Sequence, residues 1–305
     1  MKVILFKILT KITTNVYIYY QKYLKKYLKL SSIPFISGDT FRSQSDHVLD
    51  DTSKIDPTKV KTGDILFVKT DYLDEFIQLC LPGLPDSLKL ITHNSDINIE
   101  KNPFEGKLND KSIYWFAQNL KIDFTSNEFI HPLPIGFENR NWLKNGKLAI
   151  LKNIKITENK KNRMLCAFNT STNEERIEIL HNLDLNNNVN YLRRAKHKDY
   201  LSTLSEYKLS VCPEGNGVDT HRIWESLLVE TLPIVKKSAF TMNLSFLGVP
   251  LMMVSDWREL QGLDEEQIKN IYSLKRLELK ERKFTKNTFW MEKVNKIFND
   301  TNLIN

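Results

Sequence analysis

The chain reads as an α/β protein made of two Rossmann-like domains facing each other across a cleft, with an amphipathic helical arm in front. Three observations predict this. Short apolar runs each stop at polar residues, helical stretches lie between them, and the same alternation restarts after residue 158. A length of 305 residues suits two domains of ordinary size, and a 41 % hydrophobic content supplies a sizeable core. The arm spans residues 1–30, the first domain 31–158 and the second 159–305.

The arm comes first. Residues 1–29 hold Lys2, Lys7, Lys11, Lys22, Lys25, Lys26 and Lys29 and no acidic residue. The whole chain carries a formal net charge of +7 from 44 basic and 37 acidic side chains, so the arm accounts for the excess. The near-neutral body argues against a nucleic-acid partner. Between the lysines, residues such as Ile8, Ile12, Val16, Tyr20, Tyr23 and Tyr27 recur at helical spacing. Lysines interrupt every apolar stretch before the roughly 20 residues needed to cross a bilayer. The run Val3–Phe6 is too short for a secretory signal. Two readings stand: a helix lying on an anionic membrane surface, or a helix packed on the domain with a solvated lysine face. The expected setting is cytoplasmic, with peripheral membrane contact on the first reading. Cys80, Cys166 and Cys212 form no C-x-x-C pair, which argues against a disulfide framework or zinc ribbon and fits a reducing compartment.

In the first domain, D-I-L-F-V-K at Asp64–Lys69 predicts a buried strand after Gly63. Leu73–Cys80 predicts a short helix, ended by the Leu81–Pro85 loop. Leu88–Thr92, Ser112–Ala117 and His131–Ile135 are further strand candidates, each running into polar residues. Lys144–Lys161 reads as a helix and a basic connection. In the second domain, strands are expected at Met164–Phe168, Tyr191–Arg193, Tyr207–Cys212, Leu232–Val235 and Leu251–Val254. Helices are expected at Asn173–Leu180, Lys198–Glu206, Thr220–Glu230, Glu265–Leu277 and Asn287–Phe298. Such alternation implies a parallel sheet with right-handed crossovers.

The segment Lys208–Val235, K-L-S-V-C-P-E-G-N-G-V-D-T-H-R-I-W-E-S-L-L-V-E-T-L-P-I-V, carries the chemistry. A strand ends at Cys212. Pro213, Gly215, Asn216 and Gly217 then form a loop whose backbone can approach a ligand. Asp219 or Thr220 caps the following helix. A helix start beyond a glycine-rich turn offers free N–H groups and a positive dipole end, which suits a diphosphate. Arg222 and Glu225 share a helix face near that start. The arginine can fork onto phosphate oxygens, and the carboxylate can accept hydrogen bonds from ribose hydroxyls. His221 can reach phosphate or pack half-buried.

C-P-E-G-N-G-V-D-T-H-R-I-W-E-S-L followed by L-P-I-V resembles the donor-site signature of exostosin-like glycosyltransferases. S-G-D-T-F-R at Ser37–Arg42, T-H-N-S-D at Thr92–Asp96, W-F-A-Q-N at Trp115–Asn119 and P-I-G-F-E-N-R at Pro134–Arg140 are similar to blocks of a bacterial and viral branch. The resemblance implies a GT-B architecture, an acceptor-facing first domain and a nucleotide-sugar-binding second domain, without a metal cofactor. It places Arg222 on the donor diphosphate, Glu225 on the ribose, and Asn169, Thr170 and Ser171 beside the phosphates. It implies a UDP- or GDP-sugar donor and a glycan or lipid-linked acceptor. One departure is Val229-Glu230-Thr231, where the family more often has a glycine-containing turn. The chain has no D-x-D triplet.

Transfer requires the leaving diphosphate to be stabilised, by Arg222, the helix start and Arg193 or Lys196. It also requires a base for the acceptor hydroxyl when the reaction inverts. The base candidates are Asp96, Asp39 and His93. Against these stand plainer roles: Asp39 as a helix cap, Asp96 as a turn former, His93 as a structural histidine. Arg42, Asn94, Asn119 and Glu138 are acceptor-side candidates, Glu138 with Asn139 alternatively fixing a loop. A catalytically inactive nucleotide- or glycan-binding protein is the competing function. G215-N-G217-V-D-T220 places Thr where a dinucleotide fingerprint needs a third small residue.

Overall fold

The computed structural model describes Tyr19 and residues 27–107, 111–183 and 187–301. The helical arm expected over residues 1–30 therefore lies outside the described residues apart from Tyr19 and positions 27–30.

Two parallel five-stranded sheets form the frame. The first runs β1 (His47–Leu49), β2 (Ile65–Lys69), β3 (Ser87–His93), β4 (Ser112–Ala117) and β5 (Ile130–Pro132), side by side in chain order. The middle three are buried on both faces, which is why they read as nearly unbroken apolar runs. Their register stacks Phe67 beside Ile91 and Ile91 beside Phe116. All five strands lie before residue 158.

The second sheet holds β6 (Lys161–Cys166), β7 (Val189–Tyr191), β8 (Tyr207–Val211), β9 (Leu232–Lys236) and β10 (Met252–Val254), all after residue 158. Its order is β10-β9-β8-β6-β7. The chain steps outward from β6 to β7, then crosses back to β8, so the direction of winding reverses between β6 and β8. In an open α/β sheet that reversal opens a crevice at the carboxyl ends of the two strands, where ligands bind. The two-sheet α/β architecture expected from the sequence is the one the chain adopts.

Local differences have physical causes. The strand expected at Tyr191–Arg193 ends at Tyr191, and its arginine falls on the exposed rim beyond. The helix Ala239–Phe246 gave no expected signal because its capping box uses Thr241, not Glu or Gln, opposite Ser238. Gly38–Ser43 is a short helix capped by Ser37, whose side chain accepts from the Thr40 N–H. Glu230 sits at φ 58°, the left-handed conformation that favours glycine. Its carbonyl accepts from the Tyr272 hydroxyl at 2.9 Å, and its carboxylate lies 3.7 Å from Arg282. The turn is as tight as a glycine turn, with tertiary contacts holding a residue that disfavours it.

The C-terminal segment ties the two sheets together. The helix Glu265–Glu281 packs on β6, β8 and β9 through Ile268 and Leu279. It ends at Arg282, also left-handed. The chain then returns to the first unit: the Ile36 N–H donates to the Thr285 carbonyl at 3.2 Å and the Asn287 N–H to the Pro34 carbonyl at 2.9 Å. The helix Asn287–Thr301 lies against β4. Its Trp290, 1 % exposed, meets Trp224 edge-on at 5.9 Å. No helix among the described residues is long and apolar enough to cross a membrane.

Because Trp290 fills the seam between the returning helix and the site-bearing helix, Trp290→Ala should cost about 3–5 kcal/mol. Urea unfolding followed by circular dichroism checks this, and an unchanged midpoint would contradict the seam.

Candidate functional site

The glycine loop leaves β8 and enters the helix His221–Leu228. It is docked on the first unit. The Val218 N–H donates to Asn98 Oδ1 at 2.9 Å, and Asn216 Nδ2 donates to Asp96 Oδ2 at 2.9 Å. Asn119 Oδ1 accepts from the Asp219 N–H at 3.1 Å, while its Nδ2 donates to the Ser95 carbonyl. A Cβ on Gly217 would stand 2.6 Å from Asn119 Nδ2. The close neighbour of this glycine is thus Asn119, and Asn119, which lines neither main cavity, is a brace rather than an acceptor contact. Asp219 differs from expectation in the same way. It is 3 % exposed, with Oδ2 accepting from the Ile135 N–H at 2.6 Å and Oδ1 from the Trp224 indole at 2.9 Å. Burial raises its pKa to about 7.

A cleft of about 610 Å³ lies at the reversal between β6 and β8. Gly215, Asn216, Gly217, Thr220, His221 and Arg222 line one wall, and Asn169 and Arg193 the others. Arg222 donates from Nε to the Ala167 carbonyl at 2.8 Å, which fixes the guanidinium along the cleft. Thr220 is the N-cap residue, one of the two positions expected, but its side chain makes no cap hydrogen bond and its buried Oγ1 has no partner. Asn169 Oδ1 is engaged with the Ser171 N–H. Thr170, Ser171 and Lys196 do not line the cleft, whereas Thr172 and Arg194 do.

Glu225 is 7 % exposed and lines the same cleft. Its Oε1 lies 2.8 Å from His197 Nε2, a pairing the sequence gave no sign of. Burial pushes the carboxyl up, but the hydrogen bond and charge of His197, with the charges of His221 and Arg222, outweigh it and hold the group below its usual value. His197 Nδ1 is buried without a partner, and the Tyr200 ring stacks on the imidazole at 6.3 Å. Arg176 was also missed. It is 3 % exposed and donates to the carbonyls of Glu214 and Asn169 at 2.7 and 2.8 Å and to the Thr172 hydroxyl. Burial, then the charge of Arg222, lowers its pKa to about 10. Its E-E-R-I-E context resembles a solvated helix face, so only the fold reveals it.

A second cleft of about 730 Å³ lies on the first unit. Asp96, Ile135, Glu138 and His221 line both clefts and mark where they meet. Beneath the second cleft runs an amide network. Asn94 Nδ2 donates to Asp39 Oδ1 at 3.1 Å, Asn139 Nδ2 to Asn94 Oδ1 at 2.9 Å, and the Asp39 N–H to Asn139 Oδ1 at 2.8 Å. Asn94 lines the cleft; Asp39 does not. Asp39 is 1 % exposed, and burial raises its pKa. His93 is equally unsuited to be a base. Its Nε2–H donates to the Pro134 carbonyl at 2.9 Å and its Nδ1 accepts from the Asn94 N–H at 2.7 Å. Burial drops its pKa to about 4, and neither nitrogen is left for substrate. Arg42 is spent away from both clefts, donating to Asp50 at 2.7 Å and to Ser53. Of the three base candidates, Asp96 alone presents an exposed carboxylate. Among the described residues no cluster of three or more His, Cys, Asp or Glu side chains is placed to hold a metal ion.

No protein-family model matches the chain, and no curated protein matches it. Solved structures align along much of it. A trehalose-6-phosphate synthase studied with bisubstrate glycomimetics is 9 % identical, with a TM-score of 0.47 over 79 % of this chain and 74 % of that one. An OtsA apo structure is 10 % identical at the same score and coverage. A UDP-forming α,α-trehalose-phosphate synthase from Burkholderia vietnamiensis is 9 % identical, with a TM-score of 0.40 over 80 % of this chain and 75 % of that one.

Two outcomes follow from the docked loop. Gly217→Ala should destabilise the protein by about 1–3 kcal/mol through collision with Asn119, read as a lowered Tm. Asp219 holds its proton more tightly when folded, so its contribution to stability is full below its unfolded value of 3.8 and is lost as pH rises toward about 7. The stability difference between the protein and Asp219→Asn, measured by denaturation across that window, should therefore change with pH. A constant difference would contradict the shift.

Proposed function

We propose that this chain is a glycosyltransferase that moves a sugar from a nucleoside-diphosphate donor to a hydroxyl of a glycan or lipid-linked acceptor. One observation carries the reading: an arginine, an open helix start and a buried carboxylate line a single cleft at the reversal of the second sheet, and that cleft opens into another on the facing unit. The sequence resemblance to exostosin-like glycosyltransferases supports it independently.

The donor's diphosphate lies against Arg222 and the helix start at His221, where the helix dipole favours negative charge. Arg193 on the rim adds a second cation. The chain thus supplies its own charge for the leaving group, which supports transfer without a resident metal. The Glu225 oxygen not engaged by His197 accepts from ribose hydroxyls. Thr220 Oγ1 and His197 Nδ1, buried and unpartnered, gain partners from the bound nucleotide, since such groups cost free energy while unpaired. A UDP- or GDP-sugar fits this description. The acceptor enters by the second cleft, past Asn94 and Glu138. Residues 1–29 hold the enzyme at an anionic membrane surface on the cytoplasmic side.

A thermal-shift panel of nucleotide sugars should reveal the donor, and transfer from it should follow. Arg222→Ala should lower transfer at least about 100-fold, the scale of losing one stabilising donor, with an unchanged circular dichroism spectrum. Transfer close to the unaltered protein's would refute the diphosphate role. His197→Ala should weaken binding of the nucleoside diphosphate about tenfold or more by leaving Glu225 unpaired. Unchanged affinity in calorimetry would count against the ribose assignment.

A further inference from the structure

The junction of the two clefts holds a histidine whose surroundings are those of a general base. His221 lines both cavities. Its Nδ1 lies 2.7 Å from the Gly136 carbonyl, an acceptor only, so the proton of the neutral ring is fixed on Nδ1. That leaves the lone pair on Nε2, on the side where Glu138 Oε2 stands 3.8 Å away. The gap is a charge contact, longer than a hydrogen bond. Glu138 is itself steadied by the Asn139 N–H at 3.2 Å. We propose that His221 is the general base that takes the acceptor hydroxyl's proton, and that Glu138 is the positioning residue that stabilises the imidazolium so formed.

The step balances as follows. The acceptor O–H bond breaks and its proton passes to His221 Nε2. The hydroxyl oxygen bonds to the anomeric carbon from the face opposite the diphosphate. The bond from that carbon to phosphate breaks, and its electron pair leaves with the nucleoside diphosphate. The anomeric centre inverts.

Asp96 is the other accessible candidate at the junction. Its Oδ2 is already tied to Asn216 Nδ2, and the residue stands in the open rather than at a braced position. A histidine titrates in the range where a base must work. The groups facing His221 come from several elements: Glu138 after β5, Asp219 and Glu225 around its own helix, Arg222 beside it, and His93 at the end of β3. Burial pulls the imidazole pKa down, but the charge of Glu138 and the Gly136 carbonyl, with Glu225 and Asp219, raise it above 6.5 on balance. Transfer should thus rise with pH as the imidazolium loses its proton.

The inference rests on the transferase reading, and the experiment separates their failures. With the donor found by the thermal-shift panel, kcat and kcat/KM are measured across pH for the protein, His221→Gln, Glu138→Gln and Asp219→Asn. His221→Gln should lower kcat about 10²–10⁴-fold, abolish the acid limb and bind nucleoside diphosphate within threefold of the unaltered protein in calorimetry. Glu138→Gln should move the acid limb to lower pH, a shift that a purely structural role would not produce. Asp219→Asn should retain an acid limb, moved to lower pH by the loss of a charge that raises the imidazole pKa, which excludes the neighbouring carboxyl as the limb's source. NMR of the product should show inverted anomeric configuration. Product with retained configuration, or His221→Gln transferring within threefold of the unaltered protein, would overturn the base while leaving the transferase standing. A loss of diphosphate affinity in His221→Gln that accounts for its whole rate defect would make it a donor contact and overturn the inference as well. Absence of transfer from every nucleotide sugar would remove the transferase and the base together.

Discussion

The 2.6 Å hydrogen bond from the Ile135 N–H to the Asp219 carboxylate fixes the start of the helix that faces both clefts against the first unit. Asp219 stands two residues before the helix that carries His221, Arg222 and Glu225, and the same carboxylate takes the Trp224 indole N–H. One buried group therefore joins the first unit, the glycine loop and the helix. Its pKa is raised because the neutral donors of Ile135, Trp224 and Thr220 do not fully repay the burial of a charge. The joint is held for geometry at a cost in stability. Asn119 and Asn98 reinforce it from the first unit by taking the Asp219 and Val218 N–H groups. The loop is thereby presented as a rigid edge to the β6–β8 cleft, which is what a site dependent on pre-placed donors requires.

Around this joint charges of both signs are placed. Arg222, Arg193 and the helix start lie on the β6–β8 cleft, with Arg176 bracing the loop beneath. Asp96 and Glu138 lie on the shared wall. In the proposed transfer, the anion that develops meets the arginines and the proton that is released meets the carboxylates. His221 sits between the two groups, next to Arg222 in the chain and beside Glu138 in space. Its imidazole can change charge without leaving its hydrogen bond to Gly136.

Elements whose identity depends on neighbours in the chain were legible in the sequence. Buried parallel strands appear as apolar runs, and β4 matches its expected span residue for residue. The strand, glycine loop, helix and Arg222–Glu225 spacing are likewise local. Roles set by a distant partner were not legible. His197 becomes part of the site because Glu225, 28 positions later, folds against it. Arg176 does so because the Glu214 carbonyl, 38 positions later, lies within reach. His93 looked like a base until the Pro134 carbonyl and Asn94 N–H used both its nitrogens, and Asp39 until the amide network closed over it. Arg42 was claimed by Asp50. A side chain's type announces what it can do, but the backbone groups that arrive beside it decide whether it is free to do so.

The His197–Glu225 pair shows how the same reasoning bears on function. Both side chains are nearly buried, at 5 % and 9 % exposure. An ion pair in such a place gains little net stability, because each partner gave up its water. Its value lies in holding Glu225 charged and in one rotamer before any ligand arrives, so ordering the carboxylate costs nothing at the moment of binding. The unpartnered His197 Nδ1 and Thr220 Oγ1 point the same way. A buried polar atom without a protein partner costs free energy unless something else pairs with it. Both residues line the β6–β8 cleft, so an occupant rich in polar groups suits it.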